Sequence, residues 1–191
     1  MRPIRCFSIK QPPVVAVTTW DSGAMGSGIA LSSGDLHAAK AGGGWATVFG
    51  TMGKGAGKWQ FEIVGRSATI YMFAGIADKS NLAGALATYI GDNSGVVETA
   101  GYWNNGFEYH NLTGGAGNSG RPTWSNTDII TVTLDMTAPE ARFYRNGVFV
   151  YTLALPSGKT WYPATSIQSG GEVDLVPSAL TYPQSGFSDW G

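Results

Sequence analysis

Glu172 and Asp174 are the nearest approach in this sequence to a reactive pair of side chains. Two residues apart on a strand, they project from the same face. Retaining glycoside hydrolysis needs a nucleophile carboxylate and an acid/base carboxylate about 5–5.5 Å apart. The E-x-D-x-x-E pattern that would complete such a centre meets Pro177 at its last position. The expectation is therefore a strand with a solvated polar face, and a carbohydrate-active enzyme on a lectin-like sandwich is the alternative. His37 and His110 stand far apart, and neither has a second His or a Cys at ligand spacing, so neither a metal nor any other cofactor is expected. There is no G-x-S-x-G, and Gly26-Ser27-Gly28 reads as a loop. Cys6 has no His partner and reads as a free thiol. Lys54-Gly55-Ala56-Gly57-Lys58 is followed by Trp59, where a phosphate loop needs Ser or Thr, so it reads as a hairpin loop. No catalytic residue is assigned and no enzyme is expected.

Recognition is better served. Residues 103–111 read WNNGFEYHN. Aromatic rings stack on sugar faces or apolar side chains, and asparagine amides both donate and accept hydrogen bonds. Trp103, Asn104, Asn105, Tyr109 and His110, with Arg121 and Trp124 flanking the same loop, are the candidate ligand-binding residues. Long loops on a rigid scaffold are where binding residues concentrate. The competing reading for the tryptophans is that they pack the core or the loop itself.

Composition narrows the scaffold. The 191 residues suit one large domain, able to bury about 70% of its unfolded surface. Glycine is abundant at 28 residues, and charged residues make up 13% against an ordinary ~25%. With 12 basic residues against 13 acidic and no Lys/Arg cluster, a polyanion-binding surface is not expected, so nucleic acid is not a partner. A single cysteine excludes an intrachain disulfide. No apolar run approaches membrane-spanning length. The first twenty residues lack the apolar core of a signal peptide, so synthesis in the cytoplasm without a signal peptide is expected.

The elements that must hold these residues are strands. Ile130, Val132 and Leu134 alternate with Thr131, Thr133 and Asp135, which puts the apolar set on one face. Residues 141–145 then reach Asn146-Gly147, suited to a type I′ turn, and residues 148–153 return. With a reversal at 136–140 this is a three-stranded antiparallel meander. Further strands are expected at 14–19 (an edge strand ended by Trp20-Asp21), 29–32, 36–40, 45–49, 59–64, 101–103, 161–167 and 172–176, the last closing its sheet. Residues 23–28 and 50–58 read as loops, and 104–126 as a long polar loop interrupted by a short piece at 107–109. Residues 70–77 fit a central strand, with a short helix open as the alternative. Residues 85–90 fit a strand or a short helical turn. Residues 1–13 form an arm outside the pattern, residues 14–191 the sandwich domain, and 177–191 an extended tail. Many short strands with frequent turn signals give an all-β, two-sheet antiparallel β-sandwich.

The order of signals resembles the SPRY domain family. The resemblance rests on Gly57-Lys58-Trp59-Gln60-Phe61-Glu62-Ile63, then Gly75-Ile76-Ala77 and Leu82-Ala83-Gly84, then residues 128–135 as a D-x-I-x-V-x-x-D-like strand. Phe143-Tyr144-Arg145-Asn146-Gly147, Trp161-Tyr162-Pro163-Ala164-Thr165-Ser166 and Gly170-Gly171-Glu172-Val173 follow in family order, over residues 20–190. Asn126-Thr127-Asp128 replaces the usual Gly-Asp, and Val176-Pro177 the common Asn-Phe-Gly. The resemblance implies a concanavalin-like sandwich that meets ligands with loops at one rim. The tail at 178–187 resembles SPRY-like proteins of tailed phages. That implies a virion module, tail-fibre, receptor-binding or capsid-decorating, with a purely structural virion subunit that meets no external ligand as a further alternative. Its partners would be other virion subunits and a host-surface glycan or protein, with homo-oligomerisation left open. Arg2, Pro3, Ile4, Arg5 and Phe7 of the arm would anchor it to a neighbouring subunit.

Overall fold

A computed structural model describes residues 16–68, 71–80, 82–92, 98–112 and 117–191. Along the chain run β1 (Trp20–Met25), β2 (Ile29–Ser32), β3 (His37–Lys40), β4 (Ala46–Gly50), β5 (Lys58–Gly65) and β6 (Phe73–Ala77). A single helical turn, α1 (Leu82–Ala85), precedes β7 (Thr99–Trp103) and β8 (Phe107–His110). Then come β9 (Ile129–Asp135), β10 (Glu140–Arg145), β11 (Val148–Ala154), β12 (Tyr162–Ile167), β13 (Gly171–Val176) and β14 (Ser188–Asp189). They form two sheets, one of six strands in the order β1-β4-β12-β6-β7-β8 and one in the order β11-β10-β9-β5-β13-β3-β2, with β14 parallel to β5. The architecture is the expected all-β antiparallel sandwich.

Period-two alternation builds the core between the sheets. Phe61 and Ile63 of β5 and Ile130, Val132 and Leu134 of β9 point inward with no exposed surface. Ala74 and Ile76 of β6, Tyr102 of β7 and Ile167 of β12 meet them from the six-stranded sheet. The meander forms as read. Asn146 and Gly147 have φ of 49° and 78°, the left-handed pair that a type I′ turn requires.

Four expectations need correction or extension. The first strand begins at Trp20 instead of ending there. Residues 16–19 are not strand, and 14–15 lie outside the described residues. The Trp20 side chain is fully buried, and that anchor starts the pairing with Gly50. The Lys54–Lys58 run is not a hairpin loop, because it carries the chain from β4 in one sheet to β5 in the other. β13 does not close its sheet; it lies between β5 and β3, since the β2–β3 hairpin adds beyond it. The tail contributes β14 and buries Trp190 completely. Residues 73–77 are the central strand, buried on both faces between β12 and β7, and 82–85 are the helical turn. The arm, with Arg2, Pro3, Ile4, Arg5, Cys6 and Phe7, lies outside the described residues.

Candidate functional site

The outward face of the six-stranded sheet is half covered and half aromatic. Gly75 and Gly101 pair across β6 and β7. A Cβ on either would meet Ile90, at 3.0 Å and 2.6 Å, so their bareness makes the flat bed on which Ile90 lies. Ile90 donates its N–H to the Ser166 hydroxyl at 2.9 Å, and the Thr47 hydroxyl bonds both Ser166 and the Thr88 carbonyl at 2.7 Å. These bonds strap the segment after α1 across the sheet and set Tyr89 beside the strands.

Next to that strap the rings gather. Trp103 stacks on Phe73 at 5.4 Å and meets Trp45 at 5.7 Å and Tyr109 at 5.5 Å edge-on. Tyr89 stacks on Phe73 at 5.8 Å and touches Trp45 at 5.5 Å. Tyr71 and Phe107 extend the cluster at its margins, 6.1 Å from Trp45 and 6.3 Å from Trp103. Edge-to-face and offset contacts of this kind suit the ring quadrupoles. Phe73 is buried, Tyr71 is 38% exposed and the other rings are half-buried. Burial, reinforced by Asp92 and Tyr109, raises the Tyr89 phenol above its ordinary pKa.

The seven residues singled out from sequence are not gathered into one cluster. Trp103 and Tyr109 belong to the cluster, as outward positions of β7 and β8. Asn105 caps the turn between them, its side-chain oxygen accepting the Phe107 N–H at 3.1 Å. Asn104 is 2% exposed. It accepts the Met72 N–H at 3.1 Å with its side chain, and its carbonyl accepts the Trp124 N–H at 3.0 Å. Trp124 is also 2% exposed and leans on Tyr102 at 6.3 Å. The Tyr102 hydroxyl donates to the Pro122 carbonyl, and burial pushes its pKa up to about 12. Arg121 is held by Glu108, its Nε and terminal nitrogen reaching Oε2 at 3.2 and 2.8 Å, and it lies 5.3 Å from the Tyr151 ring. Asn118 donates to the other oxygen of Glu108. His110 is half-buried at the end of β8, and its Nδ1 is buried with no hydrogen-bond partner among the described residues. The described parts of the stretch from Asn104 to Trp124 are thus pinned by buried polar contacts, and the sheet face beside them carries the rings.

Trp45, Tyr71, Phe73 and Tyr89 were not singled out. They come from separate segments, and only an aromatic content of 12% with few charges hinted at an outer cluster.

The acidic pair is also placed. Asp174 accepts from His37 Nδ1 at 2.7 Å and from Arg66 Nε at 2.5 Å, on neighbouring positions of β3 and β13. Its carboxylate is engaged with these two partners on the outer face, the partly solvated setting expected. No group of three or more His, Cys, Asp or Glu side chains among the described residues could hold a metal ion.

Neither a family model nor a curated protein matches the sequence. Solved structures do. The SPRY domain of human HERC1 superposes with a TM-score of 0.68 at 17% identity, covering 84% of this chain and 99% of that one. The PSpry domain of TRIM65 gives 0.67 at 17% identity, over 85% and 91%. Stonustoxin gives 0.65 at 18% identity, over 84% of this chain and 27% of the much longer toxin. The chain is similar to these in fold, a SPRY-like, concanavalin-type sandwich.

Proposed function

We propose that this domain is a non-catalytic module that docks a segment of another protein on the aromatic cluster of its six-stranded sheet. The observation that carries the reading is that cluster: half-buried rings in mutual contact beside a stretch whose described parts are pinned from within. Aromatic residues are the side chains most enriched at the buried centres of protein interfaces, and charge is depleted there. A rigid bed also lowers the ordering cost of binding.

The test is selection of a random-peptide display library on the full chain, followed by binding of the selected clones to Trp103→Ala and Tyr109→Ala. The expected result is at least a tenfold loss of affinity with the folded state retained by circular dichroism and a melting temperature lowered less than by Trp124→Ala. Clones that bind both variants as well as the parent would overturn the reading. A glycan array run in parallel addresses the second ligand class: sugars also stack on exposed rings, and binding to the array with no peptide selected would transfer the site to carbohydrate. Placement in a virion as a tail-fibre, receptor-binding or capsid-decorating subunit is proposed on the resemblance of the 178–187 tail alone, with residues 1–13 as the anchor to a neighbour. Its check is assembly of particles from a chain deleted for those residues, which should fail.

A further inference from the structure

The sheet under the aromatic cluster limits the chemistry of a segment that docks there. Phe73 and Trp103 project from β6 and β7, and each strand is paired on both sides, β6 by β12 and β7, β7 by β6 and β8. Their backbone groups are spent in the ladder, so the face offers side chains alone. An ordinary extended segment laid on it would bury its own N–H groups without backbone acceptors, which is costly. Proline has no N–H. A polyproline II segment makes no internal hydrogen bonds, so its carbonyls stay free. Groups that can answer those carbonyls are present. Among the described residues no hydrogen bond engages the Trp45 indole N–H or the Tyr89 and Tyr109 hydroxyls. All three side chains are half-buried and each can donate. A helix would leave these donors unanswered, because its carbonyls are taken up by its own i→i−4 bonds.

Ring geometry points the same way. Trp45 stands at 79° to Trp103, and Tyr89 at 87° to Tyr109. Rings crossed like this leave notches, and a pyrrolidine ring fills a notch without loss of side-chain freedom. Charge fixes one end of the segment. Asp92 is half-buried, accepts the Thr88 hydroxyl and acts electrostatically on the Tyr89 phenol. Among the described residues no ion pair engages its carboxylate. A basic residue would complement it, and an arginine could also lie on a ring face. We infer, on the reading that the cluster docks a segment of another protein, that this segment is proline-rich, lies in the polyproline II conformation and sets an arginine or lysine against Asp92.

The experiment is fluorescence anisotropy of three labelled synthetic peptides titrated with the full chain: polyproline flanked by arginines, polyproline flanked by glutamates, and a helix-forming alanine-rich peptide flanked by arginines. The arginine-flanked polyproline should bind at least tenfold tighter than either of the others. Trp103→Ala and Tyr109→Ala should each weaken it at least tenfold. Asp92→Asn, which keeps an acceptor for Thr88, should bring the two polyproline peptides to nearly equal affinity. Equal binding of all three peptides to the parent overturns the inference, as does preference for the helical peptide or no binding of the arginine-flanked polyproline. None of these three outcomes needs a variant to fold. An arginine preference that survives Asp92→Asn overturns the role given to that carboxylate. Library clones that depend on Trp103 and Tyr109, found while neither polyproline peptide binds, would remove this inference and leave the docking reading standing. Clones indifferent to both variants would remove both.

Discussion

Trp103 and Trp124 show how two residues of one type in one stretch take opposite roles. Trp103 ends β7 on the outward parity, one residue after the fully buried Tyr102, whereas Trp124 is packed inside against Tyr102. Trp124→Ala is expected to cost about 3–5 kcal/mol in denaturant unfolding, the range for emptying a large buried aromatic site. Trp103→Ala is expected to cost clearly less, because its ring is half in solvent, and to be read in binding instead. Asn104 belongs with Trp124. Asn104→Ala leaves the Met72 N–H without its side-chain acceptor, an omission worth about 1–3 kcal/mol. A calorimetric scan of the three variants should rank Trp124→Ala as the most damaging. The sequence carried no information that separates the two tryptophans until the parity of β7 is known, and Trp124 has no strand of its own to supply a parity.

Elements were legible where alternation and turn chemistry agree. The meander β9–β10–β11 could be read because Ile130, Val132 and Leu134 alternate and Asn146-Gly147 closes the hairpin. What alternation cannot report is which neighbour a strand takes. That is why β13 was read as an edge, and why the crossing from β4 to β5 looked like a hairpin loop. The reversal between β9 and β10 adds a contact that pattern reading does not reach. Asp135 Oδ1 accepts the Thr137 N–H at 2.9 Å, the Thr137 hydroxyl at 2.6 Å and the Ala138 N–H at 3.2 Å, while Oδ2 pairs with Lys58 at 2.6 Å. Burial alone would raise the Asp135 carboxyl, but the bonds from Lys58, Thr137 and Ala138 outweigh it and hold the group well below the usual carboxylate range. A depressed folded-state pKa contributes stability that is complete above the unfolded value, about 3.9, and is lost as pH falls through the folded one. Denaturant midpoints should therefore drop as the pH is lowered below about 4 in the parent. Asp135→Asn should be weaker at neutral pH and show a shallower acid dependence. Equal acid slopes in the two proteins would contradict this assignment.

At the scale of the whole molecule, the C-terminal tail completes the eight-stranded sheet from outside. The outward residues of β5 and β9 are polar, yet Gln60, Glu62, Thr131 and Thr133 are buried, because the tail lies across them. Glu62, with no exposed surface, accepts the Thr181 and Tyr182 N–H groups at 2.9 and 2.6 Å. Gln60 accepts the Gln184 N–H at 2.7 Å. Beyond these tethers, β14 adds to β5, and Trp190 enters the core edge-on to Phe61 at 5.1 Å while its indole N–H donates to the Met52 carbonyl at 2.8 Å. The tail is thus held by two unlike devices, a buried carboxylate reading backbone N–H groups and an aromatic plug. They should separate by mutation. Glu62→Gln turns one of the two acceptor oxygens into a donor facing the N–H group that it had accepted, at a cost of about 1–3 kcal/mol. Its hydrogen exchange should accelerate at residues 181–184 and remain slow in β9 to β11. Trp190→Ala empties a core site for about 3–5 kcal/mol and should lower protection in both sheets, since Met52 lies on the crossing between them. Local loosening in the first variant and global loosening in the second would show that the sandwich is closed by Trp190 and that the strap above it is dispensable. Equal global loss in both would make the tail a single cooperative part of the core.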